Sequence, residues 1–175
     1  MKEQILSFLP PEYPWKDRLF VFPELDSTNN RLKVLASQGA PHGTVLIADR
    51  QTGGRGRMGR SFLSPPGVGI YMSILLRPEC APPEELMHLT CAVAAAMCRA
   101  VERSVGLRPG IKWTNDLVWG KQKFAGILTE MGLNAAGGVD WAIVGIGVNC
   151  CQKAEDFPPE IRDRACSLAM AAGRE

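Results

Sequence analysis

Two apolar runs bracket a charged loop, and that arrangement limits the architecture of this chain more than any other feature. Thr44-Val45-Leu46-Ile47-Ala48 and Ile70-Tyr71-Met72-Ser73-Ile74-Leu75-Leu76 are rich in β-branched and apolar residues and read as buried strands. Between them stands Gly53-Gly54-Arg55-Gly56-Arg57-Met58-Gly59-Arg60, with three arginines and four glycines in eight residues. Arginine is always charged and offers a planar fork of donors that matches carboxylate and phosphate. Glycine lets the backbone approach a ligand and take positive φ. Held between core strands, such a loop reads as an anion clamp; the alternative is a solvated basic surface loop. Four glycines make it costly to fix, and three like charges repel where no anion is present. It is therefore expected to be mobile until a ligand orders it.

The loop fits neither common nucleotide pattern. No Lys-Ser or Lys-Thr follows the glycines, as a G-x-x-x-x-G-K-[ST] loop requires, and a strand rather than a helix comes next. A phosphate here would be gripped by arginine side chains and loop amides.

The rest of the chain reads as an α+β domain. A first strand is expected over Leu19 to Phe22. A helix follows, capped by Asp26 or Ser27, with Leu32, Leu35 and Ala36 at helical spacing and Gly39 at its end. Pro82-Pro83-Glu84-Glu85 opens a long helix to Val105, with Leu86, Leu89, Val93, Ala94, Met97 and Val101 on a broad apolar face. Lys123 to Met131 and Val139 to Val148 read as a hairpin turning through Asn134 to Gly138, and Pro158 to Ala172 as a last helix. Strands that pair as neighbours, with helices on one side, give α+β rather than a doubly wound sheet.

Composition narrows the function. The chain has 175 residues, 46% of them apolar and 22% charged, which suits one globular core. A net charge of +2 is too small to argue for nucleic acid as a bulk partner. Cys80, Cys91, Cys98, Cys150, Cys151 and Cys166 form no C-x-x-C pair and have no histidine at ligand spacing, so no resident metal is expected. Ile5 to Leu9 is too short for a secretory signal, and no apolar run approaches a bilayer span. The expectation is a cytoplasmic protein with reduced thiols, bound to no membrane.

Three further segments set polar groups against apolar runs: Gly110-Ile111-Lys112-Trp113-Thr114-Asn115-Asp116-Leu117, Lys123-Phe124-Ala125-Gly126-Ile127-Leu128-Thr129-Glu130, and Ile143-Val144-Gly145-Ile146-Gly147-Val148-Asn149. Singly, each has a structural reading: Lys112 and Asp116 as a surface ion pair, Lys123 as a hairpin lysine, Asn149 as a strand cap. Together with Asp26-Ser27-Thr28-Asn29 and the arginine loop, in this order, they resemble the biotin–protein ligases. That family carries Ser-Thr-Asn, then GRGRxGR, KWPND, K-[LF]-A-G-I-L-x-E and G-[IA]-G-x-N. The match runs from about Phe20 to Asn149. Thr114 departs from the usual proline and frees that turn's φ. Phe62 stands where many members have tryptophan.

The resemblance implies the mixed sheet shared with class II aminoacyl-tRNA synthetases and lipoate ligases. It also implies a reaction: biotin attacks the α-phosphate of ATP with Mg²⁺, giving biotinyl-AMP, and a lysine of a biotin carboxyl carrier protein of acetyl-CoA carboxylase or a related carboxylase then takes the acyl group. Arg55, Arg57, Lys112, Asp116 and Lys123 are the implied catalytic residues, and the cations are expected to converge on one site. Ser27, Thr28, Asn29, Gln51, Gly54, Gly56, Arg60, Gly126, Gly147 and Asn149 are implied to bind biotin or nucleotide beside them, with Asn149 at the triphosphate and metal end. Residues 1–175 correspond to the catalytic domain, and the C-terminal part and small C-terminal domain of the family are expected to be absent. About twenty residues precede the first strand, too few for the helix-turn-helix of the repressor members. A homodimer stays open, as do a lipoate ligase and a non-catalytic biotin-binding fragment. The lipoate loop R-R-x-x-G-G-G is absent.

Overall fold

Leu19–Leu25 (β1) and Val45–Gln51 (β2) lie side by side and parallel, which requires a crossover between them. The helix Thr28–Ser37 (α2) is that crossover. Ser27 caps it, and Gly39 leaves it at φ +85°, a conformation glycine adopts without strain. This computed structural model describes residues 1–78 and 83–174. Cys80, the helix start placed at Pro82 and the side chains of Glu85 and Leu86 lie outside the described residues.

Among the described residues, β3 (Gly69–Leu76), β4 (Gly110–Lys112), β5 (Asp116–Trp119), β6 (Gln122–Leu133) and β7 (Val139–Asn149) complete one mixed sheet in the order β1-β2-β3-β7-β6-β5-β4. Apart from β1 and β2, neighbours run antiparallel. The hairpin between β6 and β7 is as expected. Asn134 closes its turn, its Oδ1 accepting from the amides of Ala136 and Gly138 at 3.0 Å each. The fold is the α+β class read from the sequence.

The helices do not share one side of the sheet. Consecutive strand residues point to opposite faces. Ile143 packs with Leu32 and Ala36 of α2, whereas Val144 packs with Ala94 and Val101 of α3 (Leu86–Val105). The expectation of one-sided packing is therefore corrected. β7 has apolar residues at successive positions, and a strand buried on both faces needs a cover on each. Burying one leucine such as Leu32 or Leu75 stabilises the fold by about 1.5–3 kcal/mol.

The last helix is also corrected. Pro158 to Ala172 forms two short helices, α4 (Pro159–Arg162) and α5 (Leu168–Ala171). Between them the chain is pulled straight: Lys123 N donates to Arg164 O at 2.8 Å, and Cys166 N donates to Lys123 O at 3.0 Å. Backbone pairing with β6 outweighs helical propensity there and sets Arg164 next to Lys123. A short N-terminal helix, α1 (Lys2–Ser7), packs near β1. No helix among the described residues is long and apolar enough to cross a membrane.

Candidate active site

The face of the sheet that carries α2 has a bare strip. Gly126 lies opposite Gly147 in the register of β6 and β7, and Gly145 follows two residues earlier on the same face of β7. A Cβ on Gly145 would collide with Asn29 Oδ1, one on Gly147 would lie 2.6 Å from the Phe62 ring, and one on Gly126 would lie 2.9 Å from Lys123 Nζ. These positions form a floor because side chains from elsewhere already occupy the space above them. Ser27, Thr28, Asn29, Gln51, Arg55, Gly56, Phe62 and Lys123 stand around it.

One wall is a chain of buried hydrogen bonds. Gln51 Nε2 donates to Ser64 Oγ at 3.1 Å, while its Oε1 accepts from the Thr28 amide at 2.8 Å and sits 3.1 Å from the Thr28 hydroxyl. Ser73 Oγ lies 2.7 Å from Thr28 Oγ1 and 2.6 Å from Asn29 Oδ1. Asn29 Oδ1 can only accept, so the single Ser73 hydrogen goes there, and any Thr28–Ser73 bond is donated by Thr28. Asn29 Nδ2 donates to Leu128 O at 3.3 Å and to Glu130 Oε2 at 2.9 Å. A network of this kind is rigid only when every member is satisfied. Ser27 is buried and caps α2 by accepting from the Asn30 amide at 3.5 Å; its own hydroxyl hydrogen has no acceptor among the described residues.

The arginine loop folds back over this floor as a short hydrogen-bonded hairpin. Phe62 N donates to Gly54 O at 2.9 Å, and Gly56 N donates to Arg60 O at 2.7 Å. Gly54 is enforced by contact, since a Cβ there would press on Phe62 O and Ser64 Oγ. At the tip, Met58 and Gly59 both take positive φ, 55° and 73°. The guanidinium groups do not converge as expected. Arg55 reaches Asn30 Oδ1 at 2.9 Å and the Glu130 carboxylate at 3.1 Å. Arg57 donates to Thr114 Oγ1 at 3.0 Å and Asn115 Oδ1 at 2.9 Å. Arg60 turns away from both. Arg55 and Arg57 separate because each finds its own acceptor.

Arg60 belongs to a second cavity of about 320 Å³, shared with Lys112, Asp116, Lys121, Lys123, Asn149 and Arg164. The space over the glycine floor is far smaller, about 40 Å³, enough for only a few waters. Lys123 and Phe62 line both. Lys123 Nζ is 2.7 Å from Asp116 Oδ1 and 5.9 Å from the Phe62 ring centre, so it stands where the two compartments meet.

Glu130 is the most enclosed carboxylate of the site. Burial pushes its pKa up, but the bonds from Lys33 and Asn29 and the charges of Lys33 and Arg55 outweigh this and hold it below the ordinary glutamate value. Asn149, implied to lie at the triphosphate and metal end, borders the larger cavity. It is buried, accepting from Gln152 Nε2 at 3.3 Å and donating to Cys166 O at 3.1 Å. It ties the end of β7 to the 163–167 segment. Burial pushes the neighbouring Cys150 thiol up to about 11, which suits a packing role rather than a nucleophile's.

Sequence reasoning missed Ser73, Lys121 and Arg164, and gave Glu130 no role. Ser73 left a signal, because a hydroxyl inside the apolar run 70–76 needs a buried partner. Arg164 left none; only the pairing of 163–167 with Lys123 brings it in.

Residues 21–149 match the model of the biotin/lipoate A/B protein ligase family. The chain is 42% identical over 151 residues to the bifunctional ligase/repressor BirA of Bacillus subtilis, covering 86% of this chain and 46% of that protein. It is 33% identical over 150 residues to the biotin–[acetyl-CoA-carboxylase] ligase of Mycobacterium tuberculosis, covering 83% of this chain and 54% of that one. Its fold overlays the Aquifex aeolicus biotin protein ligase in complex with biotin and ATP with a TM-score of 0.75 at 38% identity, covering 90% of this chain and 62% of that one. The chain thus spans about half the length of the curated relatives it matches. With the motifs, the fold and the family model in agreement, this chain belongs to the biotin/lipoate A/B protein ligase family.

Proposed function

We propose that this chain carries the adenylate-forming site of a biotin–protein ligase. The observation that supports it most is the meeting of two unlike compartments at Lys123. One is narrow, floored by glycine and walled by neutral donors and acceptors, and suits a small uncharged ring system. The other is roomy and lined by Arg60, Lys112, Lys121 and Arg164, and suits a polyphosphate. Of the relatives named above, the Mycobacterium tuberculosis protein is a biotin–[acetyl-CoA-carboxylase] ligase, and the Aquifex structure is a biotin protein ligase that holds biotin and ATP.

In this reading biotin enters the narrow compartment by moving the Phe62 ring that fills the space above Gly147, with its ureido group on the Ser27–Thr28–Gln51 wall and its carboxylate towards Lys123. One carboxylate oxygen forms a bond to the α-phosphorus of ATP. The bond from that phosphorus to the bridging oxygen breaks, and pyrophosphate leaves. A carboxylate is already a nucleophile, so no general base is needed. The task is to bring two anions together and to stabilise charge at phosphorus, which Lys123, Arg57 and Lys112 do as fixed cations. Mg²⁺ arriving with the nucleotide would supply further charge neutralisation. A carrier lysine then attacks the acyl carbon of the mixed anhydride and AMP departs. A free lysine is deprotonated only to a few parts in ten thousand at pH 7, given a pKa of about 10.4. Asp116, between Lys112 in the β4–β5 register and Lys123, is the group placed to orient or deprotonate it.

The test is ATP–pyrophosphate exchange with biotin or lipoate as the acid, followed by transfer to a biotin carboxyl carrier domain. Exchange with biotin and labelling of the carrier support the proposal. Exchange with lipoate alone makes the site a lipoate ligase's, and biotin binding without exchange makes it a binding fragment.

A further inference from the structure

The end of β7 and the 163–167 segment are joined by a buried string of polar side chains. Asn149 Nδ2 lies 3.1 Å from Cys166 O. Gln152 Nε2 lies 3.3 Å from Asn149 Oδ1 and 3.5 Å from the Tyr71 hydroxyl, which itself donates to Pro65 O at 3.0 Å. Gln152 is 1% exposed, and its Oε1 has no partner among the described residues. The direction of this string is forced from its ends. Cys166 O and Pro65 O are backbone carbonyls and can only accept, so Asn149 turns its amino group to the one and Tyr71 gives its hydrogen to the other. Two oxygens are then left facing Gln152, and only its amino group can meet them. Its own oxygen is stranded, and a flipped amide would set it against both of the others.

A side chain that carries an unpaired buried oxygen is not there for stability alone, and such departures gather where a site needs fixed geometry. The string ends on Cys166, whose amide donates to Lys123 O, two residues beyond Arg164, whose carbonyl accepts from Lys123 N. That bridge pins the backbone of the lysine shared by both compartments. We propose that Gln152 is a positioning residue for adenylation: by locking the Asn149 amide onto Cys166 O, it holds the backbone bridge that sets Lys123 at the junction. The adenylation step rests on the ligase reading above; the bridge rests on the geometry alone.

Amide hydrogen exchange followed by NMR tests the bridge without substrate. Gln152→Met keeps the length of the side chain, removes the donor, and trades one unpartnered oxygen, that of Gln152, for another, that of Asn149. The melting temperature should therefore fall by no more than about 4 °C. The Ser167 hydroxyl donates to the backbone oxygen of Gln152 at 2.7 Å, a contact that every substitution keeps. The amides of Lys123 and Cys166 should exchange about tenfold faster than in the parent chain, with those of β3 and the centre of β7 unchanged. Gln152→Glu loses the donor at the same size, and it carries the test if Gln152→Met does not fold. Unchanged protection of Lys123 and Cys166 overturns the proposal. So does a loss spread evenly over the sheet, which would make Gln152 a general support. In ATP–pyrophosphate exchange with biotin, Gln152→Met should lower kcat about ten- to a hundredfold and leave the biotin Kd within about twofold. An unchanged kcat with a loosened bridge overturns the positioning role. A parent chain that exchanges no pyrophosphate counts against the ligase reading, and the amide comparison still decides the bridge.

Discussion

The two halves of the site are built on opposite principles. The glycine-floored half has a buried wall of neutral side chains held by short-range hydrogen bonds; Ser73, Thr28 and Asn29 are each at most 4% exposed. The larger half is open and cationic, with Arg60, Lys112 and Lys121 at its exposed rim. In the proposed reading the first half selects by shape and hydrogen-bond pattern, where an error of an ångström or one lost partner is costly. The second would select by charge, where geometry is loose and solvent screens each contact. Their sensitivities to mutation, salt and pH should therefore differ, and the differences can be measured.

The sharpest separation comes at the junction. Lys123→Ala should cut biotinyl-AMP formation by about 10²–10³, the usual cost of one preorganised charge-stabilising group. Its partly exposed pair with Asp116 contributes at most about 1 kcal/mol to folding, so the melting temperature should hardly move. Pyrophosphate exchange beside a thermal melt checks both; an unchanged exchange rate would return Lys123 to the surface.

On the neutral side, Gly147→Val should weaken biotin binding by about 5–100-fold, the range for overpacking a fitted site. Its new Cβ would lie 2.6 Å from the Phe62 ring. Calorimetry with biotin and with ATP should find the loss confined to biotin. An equal loss for both ligands would mean that the halves are not separate.

Ser73→Ala leaves Asn29 Oδ1 without its closest donor in a buried setting. About 1–3 kcal/mol of stability should go with it, read from denaturant midpoints. Lys112→Ala, at an exposed position, should stay within about 0.5 kcal/mol. A null effect for Ser73→Ala would show that the wall relaxes.

Ionic strength offers a gentler contrast. Nucleotide affinity should fall severalfold from low to high salt, because the cations of the larger cavity are accessible to counterions. Biotin affinity should stay level. Parallel titrations would show a common slope if the distinction were wrong.

The smallest expected effect is at acid pH. The folded pKa of Glu130 lies below its ordinary value. Its contribution is present above the unfolded value, about 4.3, and is lost as pH falls through the lower folded value. Glu130→Gln should flatten stability against pH in that window and leave it unchanged near neutrality in slope. A parent chain with no such slope would place Glu130 in a more solvated setting.

Much of this molecule could be read before folding. The strand at 69–76, the helix cap at Ser27, and the hairpin through Asn134 follow from local periodicity and turn chemistry. Ser27, Thr28, Gln51, Arg55 and Lys123 do meet around one floor. What could not be read was relation across distance. Sidedness failed because a doubly buried strand such as β7 has no alternation to say which helix takes which face. The Pro158 to Ala172 helix failed because its middle pairs with Lys123, 41 positions away from Arg164.

The sequence by itself determined which chemical groups are present and in what order: an arginine-glycine loop, two lysine motifs and three glycines on adjacent strands, enough to place the family. Only the tertiary structure decided their division of labour. It set Arg55 on the Glu130 carboxylate and Arg57 on Thr114 and Asn115, placed Arg60 and Arg164 along the cationic cavity, and gave Glu130 Lys33 and Asn29 as further partners. The reason is physical. Local propensity acts over a few residues, whereas a charge is satisfied by whichever partner the completed sheet brings within about 3 Å.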